Sequence, residues 1–167
     1  MLEQAGLLDE SDALLKTNLA KSHSPYYLMS ELASNAKKRG DKAQALRWYE
    51  EAFDKSEGPA TRLQWGAAYV GALVELAPRD EARVEKAVQQ LWGEAAAQPD
   101  AFYERSARSL QRVGNGLKSW NRGGTHAAAF KRLQASLDSV CRQLNSSDPQ
   151  RQTCEALLGV TAKKKLA

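Results

Sequence analysis

The chain has 167 residues, of which 43% are hydrophobic and 26% are charged. This composition is typical of a folded globular domain and excludes a disordered chain, and no apolar run approaches the ~18 residues that a bilayer crossing needs. Basic residues outnumber acidic residues by only 24 to 20. Because this excess is small and both signs alternate along the chain, no nucleic-acid partner is expected. Without a long apolar run, no membrane span is expected either.

Helix start signals recur along the whole chain. Each is a residue that caps helix N-termini or a proline suited to the first turn. In chain order these signals are Asp9 or Ser11, Ser24-Pro25, Asp41, Gly58-Pro59, Asp80, Asp100, Thr125 and Asp148-Pro149. Apolar residues recur between them at intervals of three and four, and the alternation typical of strands is absent. The sequence therefore predicts an all-α fold of seven or eight helices.

Two of the predicted helices carry unusual patterns. The fourth has one apolar stripe through Leu63 and Val70 and a second through Trp65 and Tyr69, so we expect neighbouring helices on both sides of it. The sixth contains a Gly-Asn-Gly run at residues 114–116. Because glycine weakens a helix interior, this run predicts a kink or an end there.

Residues 26–59 resemble one tetratricopeptide unit, whose length is ~34 residues. The residues at the motif's large apolar, turn-glycine, small and aromatic positions are Leu32, Gly40, Ala45, Tyr49 and Ala52. The resemblance implies that small Ala45 and Ala52 let two helices approach while Tyr49 fills the gap between them. It also implies that residues 1–160 form a single domain of antiparallel helical hairpins, stacked as a right-handed tetratricopeptide-like array with degenerate outer units. Residues 161–167 are expected to be a disordered basic tail.

A candidate partner groove follows from the same resemblance. In tetratricopeptide folds the first helix of each unit lines a concave groove that holds a peptide or a partner helix. By spacing, the residues that would face this groove are Tyr27, Ser30, Ser34 and Lys37. Serines stand at 30 and 34, where chaperone-binding members have lysine and asparagine, so a carboxylate clamp is not expected. The alternatives for these four residues are ordinary surface or cover by the first helix.

Residues 22–29 and 101–108 are similar to the helical C-terminal extension of bacterial thioredoxin-like proteins. Those proteins are thought to be exported thiol-disulfide proteins, which implies a periplasmic or secreted location and an attached thioredoxin-like domain. This chain contains no CxxC motif, so the family's redox chemistry is carried onto none of its residues. Residues 1–6 lack the features of a secretion signal, so the chain is either a piece of such a protein or, alternatively, cytoplasmic.

Cys141 and Cys154 lie at nearly equal distances on either side of Ser147, in a predicted helix-turn-helix. Positions equidistant from the turn of an antiparallel helix pair face each other, so a disulfide between them is reasonable. Two buried thiols are the alternative, because free cysteine is among the most buried residue types. A disulfide would indicate an oxidising compartment.

Other candidate chemistry is sparse in this sequence. His23 and His126 stand near helix starts, where solvation or capping explains them, and no serine, histidine or carboxylate pair lies in a catalytic motif. We therefore expect a non-catalytic protein-interaction or scaffolding domain with a protein or peptide partner and no cofactor or metal. The alternative is a small helical enzyme or ligand-binding bundle with a pocket near Trp65, Tyr69 and Trp92.

Overall fold

A computed structural model describes residues 2–19, 21 and 25–159 of the chain. Within these residues the chain forms eight α-helices, one short 3₁₀ helix and no strand, which confirms the all-α prediction. The helices are α1 (Leu2–Leu19), α2 (Pro25–Arg39), α3 (Lys42–Lys55), α4 (Pro59–Leu76), α5 (Glu81–Ala96), α6 (Glu104–Trp120), α7 (Ala127–Arg142) and α8 (Pro149–Ala156), with the 3₁₀ helix at Arg122–Gly124. None of them is long and apolar enough to span a bilayer. His23 and the basic tail at 161–167 lie outside the described residues.

Inter-residue contacts divide the chain into two compact units, Met1–Gly58 and Pro59–Ala167. In the first unit α2 packs against both α1 and α3. In the second unit α4 packs against α5 and α6, α5 also packs against α7, and α7 packs against α8. Two expectations stay predictions: that both units form one domain, and that the helices stack as a tetratricopeptide array.

Local sequence chemistry sets several helix boundaries. The side chains of Asp41, Asp80 and Asp148 accept backbone N–H groups in the first turns of α3, α5 and α8 at 3.1, 3.3 and 2.9 Å. Gly40 has a φ of +81°, and the N–H of Asp41 donates to the carbonyl of Ala36 at 2.9 Å. This arrangement is a Schellman motif, in which a left-handed glycine satisfies the last carbonyls of a helix.

The core of the first unit lies between α2 and α3. Leu32 on α2 and Ala45 and Ala52 on α3 are buried, and Tyr49 is half-buried. That these two alanines let α2 and α3 approach closely stays a prediction.

The start of α1 differs from its prediction. The helix begins at Leu2 and not at a cap on Asp9 or Ser11. Both side chains instead meet α2: the Asn35 side-chain amide donates to Ser11 Oγ at 3.0 Å, and Arg39 donates to Asp9 at 3.0 Å. Aspartate and serine are typical caps, but here they bind the neighbouring helix, a role that depends on residues more than 20 positions away.

In the second unit α4 is enclosed by two neighbours, as its two apolar stripes predict. Residues of both stripes are buried, among them Leu63 and Val70 on one side and Trp65 and Tyr69 on the other. The helix packs against α5 and α6. A helix with apolar residues around most of its circumference is stable only when it is covered in this way.

The start and the middle of α6 also differ from their predictions. The helix begins at Glu104 and not at Asp100. The N–H of Phe102 donates to the side-chain carbonyl of Gln150 at 2.9 Å, which holds residues 101–103 as a turn. The helix then continues unbroken through residues 114–116. A Cβ at Gly114 would collide with the carbonyl oxygen of Leu157, so this glycine allows a close approach of two segments and does not end the helix.

Candidate functional site

The C-terminal hairpin is held by one covalent bond and by buried polar contacts. Cys141 on α7 and Cys154 on α8 are joined by a disulfide, with their Cα atoms 5.6 Å apart. Gln150 on α8 is only 2% exposed, and its amide nitrogen donates to the carbonyl of Pro99 at 2.9 Å. Because Gln150 also accepts from Phe102, the hairpin fixes the turn that precedes α6.

The four residues predicted to line a groove lie on the surface of α2. Tyr27 and Lys37 are exposed, and Ser30 and Ser34 are half-buried. The first helix covers a neighbouring face of α2, where Asn35 bonds to it. Contact of these four residues with a partner stays a prediction.

The aromatic residues of the alternative pocket lie inside the helix packing of the second unit. Trp65, Tyr69 and Trp92 are all buried. The indole N–H of Trp92 donates to the carbonyl of Leu133 at 3.1 Å, and the Tyr69 hydroxyl accepts from Arg83 at 3.0 Å. Among the described residues, the cavities beside α4 and α6 and at the end of α5 are lined by other side chains.

His126 packs against other side chains and is not a solvated residue. It is buried, its ring stacks on that of Trp120 with centroids 4.0 Å apart, and its Nδ1 contacts the carboxylate of Glu81. The Trp120 indole N–H donates to the carbonyl of Pro78 at 2.8 Å. These contacts join the α6–α7 connection to the turn between α4 and α5.

A groove that the sequence did not predict lies between α4 and α6. It is open to solvent and has a volume of about 420 Å³. Its lining residues are Gln64 on α4 and Arg105, Arg108, Ser109 and Arg112 on α6. We call it the arginine groove.

The arginine groove adjoins a second cavity at the first turns of the same two helices. This cavity has a volume of about 460 Å³, and Arg105 lines both. Its lining residues include the acidic Asp100 and Glu104, together with Tyr103. Glu104 has a φ of +43°, a left-handed conformation that is uncommon for a side chain with a Cβ and persists only where the surroundings hold it. A third cavity, of about 300 Å³, is lined by residues at the ends of α5 and α7, including Val140, and by Phe102 in the turn before α6.

The polar contacts of the groove arginines involve neutral groups. Arg105 donates to the side-chain carbonyl of Gln64 at 2.7 Å and to the Thr61 hydroxyl at 3.4 Å, and Arg112 donates to the Ser109 hydroxyl at 3.5 Å. Within residues 2–19, 21 and 25–159, none of the three guanidinium groups lies within 4.0 Å of a carboxylate.

Other arginines of the same unit are paired with acids. Arg62 meets Glu94 through two bonds of 2.8 Å, and Arg132 meets Glu85 at 2.7 and 2.9 Å. The hydrogen bond from Arg132 lowers the pKa of Glu85, because it stabilises the ionised carboxylate. The three groove arginines, by contrast, form no ion pair of this kind with the described residues.

Spacing was the available sequence signal for the groove. Arg105, Arg108 and Arg112 stand at i, i+3 and i+7, which places like charges on one face of a helix. Residues 101–108 entered the sequence analysis through a family resemblance, and their charge pattern was not considered there. The other wall of the groove was also hidden, because Gln64 lies more than 40 positions earlier in the chain.

The sequence matches no known family model, no curated protein and no solved structure. Among the residues that the structure describes, no three His, Cys, Asp or Glu side chains come together as a possible metal site.

Proposed function

We propose that this chain is a non-catalytic protein-interaction module that binds a segment of a partner protein in the arginine groove. The groove itself carries the proposal, because it presents three arginines without a carboxylate partner among the described residues. Arginine is enriched at protein interfaces, where its planar guanidinium forms bidentate bonds and packs along its stem. This surface is additional to the one that the tetratricopeptide resemblance implies on α2.

The shape of the groove favours a polypeptide over a small molecule. Small-molecule sites are enclosed, mostly apolar cavities with a few convergent polar groups. The arginine groove is open, and it follows α6 over two turns from Arg105 to Arg112. Such a surface fits a segment that lies along the helices, which is a common mode of peptide recognition.

The resemblance to the helical extension of thioredoxin-like proteins supplies a context for this module. In that context the chain stands beside a thioredoxin-like domain in a periplasmic or secreted protein and positions the partner, while the covalent chemistry belongs to the attached domain. The disulfide between Cys141 and Cys154 supports this setting, because disulfides persist in oxidising compartments.

A peptide selection tests whether the groove binds polypeptide at all. Peptides selected from a random library against the whole chain should lose at least about tenfold in affinity when Gln64→Trp fills the groove, a loss equivalent to about 1.4 kcal/mol. Gln152→Trp on α8 is the matched control, since Gln152 is exposed and lines none of the described cavities. Equal binding to both variants, with thermal melting unchanged, would disprove the proposal.

A further inference from the structure

We infer that the partner segment is an acidic helix whose carboxylates match the three arginines of the groove. This inference rests on the proposed function and names the chemistry of the partner. It depends on three observations: the spacing of Arg105, Arg108 and Arg112, the lack of a carboxylate within 4.0 Å of their guanidinium groups among the described residues, and the two acidic residues that line the cavity adjoining Arg105.

The spacing of the arginines fits a helix better than an extended chain. At 1.5 Å per residue, the Cα atoms of Arg105 and Arg112 stand about 10 Å apart along α6, with Arg108 between them. An antiparallel helix with acids at i, i+4 and i+7 has the same rises in matching order, so it places one carboxylate opposite each guanidinium. An extended strand repeats same-face side chains every ~7 Å and does not match all three positions.

The charge of the groove favours an anionic partner. Three guanidinium groups on two turns of one helix repel each other, because like charges at these spacings destabilise a helix. Each can form two parallel bonds to a carboxylate, which is the geometry that Arg62 already forms with Glu94. A neutral segment would leave the repulsion in place, whereas an acidic helix removes it.

The acidic residues beside Arg105 favour an acidic helix over a nucleic acid. Asp100 and Glu104 line the cavity that continues from Arg105. A phosphate backbone carries charge along its whole length, so a strand that extended past Arg105 would meet these acidic residues. A helix with three acids and neutral flanks avoids them.

Binding of two matched peptides to the whole chain tests the inference. The first is a fluorescent, alanine-rich helical peptide with glutamate at i, i+4 and i+7, and the second has glutamine at the same positions. We expect fluorescence anisotropy to show about tenfold tighter binding of the glutamate peptide at low salt, and this preference should shrink as salt screens the exposed charges.

Two triple variants locate the site. Changing Arg105, Arg108 and Arg112 to glutamine should abolish the preference for the glutamate peptide. The matched control changes three exposed arginines outside the groove and alters the net charge equally: Arg79→Gln, Arg122→Gln and Arg142→Gln. The control should keep the preference, and circular dichroism should show helical spectra for both variants, because glutamine is a good helix former.

Three outcomes would overturn the inference: equal affinity for both peptides, equal loss in both triple variants, or tighter binding of a single-stranded DNA oligomer of the same charge. These outcomes are separable from failure of the proposed function. If neutral and acidic peptides bind equally and both are lost in Gln64→Trp, the groove binds polypeptide without selecting acids. The salt series on the wild-type chain shows separately whether binding depends on charge.

Discussion

α1 has 18 residues and α8 has eight, yet α8 buries more of its side chains. None of the described side chains of α1 is buried, and Leu7 and Leu14 are each 64% exposed. On α8, Gln150 and Cys154 are buried, and Leu157 and Leu158 directly after it are buried as well. The length of a terminal helix therefore does not indicate how firmly it is held.

The two helices are also attached by different kinds of contact. α1 meets α2 through Asn35 and through ion pairs of Arg39 with Asp9 and Asp12 at 3.0 and 2.9 Å. Partly exposed ion pairs contribute only about 0–1 kcal/mol each. α8 is held by a disulfide and by hydrogen bonds of Gln150. We therefore expect α1 to open locally and α8 to open only when its unit unfolds.

Removal of the disulfide should have the largest effect. Changing both Cys141 and Cys154 to alanine should lower the free energy of unfolding by about 3 kcal/mol, because the bond closes a loop of this size in the unfolded chain. The sequence separation of the two residues is 13. Urea unfolding followed by circular dichroism measures the change, and the double variant should not respond to reductant. Alkylation of both thiols in unreduced protein from an oxidising compartment would contradict the bond.

A substitution at Gly114 tests the close approach between α6 and the end of α8. Gly114→Ala should destabilise the chain by about 2 kcal/mol, because its Cβ would displace the backbone at Leu157. Gly116→Ala is the matched control on the same helix, with no atom near its Cβ. It should stabilise the chain by about 0.5–1 kcal/mol, since alanine favours helix. Effects of the same sign in thermal melting would refute the contact.

The smallest effect is expected at the attachment of α1. Asn35→Ala removes hydrogen bonds of 3.0 and 2.9 Å to Ser11 and Asp12, so it should cost about 1 kcal/mol. Amide hydrogen exchange should become faster in α1 and stay unchanged in α8. Ser34→Ala is the control, because Ser34 lies beside Asn35 on the same helix. Unchanged exchange in α1 would show that other contacts hold it.

The sequence was informative wherever a feature depends on residues close in the chain. Asp41, Asp80 and Asp148 cap the helices that follow them, and Gly40 ends α2, because these contacts form within a few residues. The two apolar stripes of α4 likewise predicted its two neighbours, since periodicity reports which faces are covered.

The wrong predictions concern features that depend on residues far apart in the chain. Ser11 has the chemistry of a cap, but its partner Asn35 lies 24 positions away, and the turn before α6 depends on Gln150, 48 positions later. Gly114 has the pattern of a helix break, but its contact with Leu157 is also distant in sequence. The groove was missed for the same reason: its arginines are local to α6, but the wall that makes them a groove comes from α4.

The hydrogen bond between Phe102 and Gln150 has a consequence for how the chain is made. During synthesis from the N-terminus, α6 leaves the ribosome well before the glutamine that anchors the turn preceding it. The nascent chain therefore lacks the anchor for the turn at residues 101–103, and we expect a truncation before α8 to perturb the start of α6, where Arg105 lies, while leaving all lining residues of the arginine groove intact.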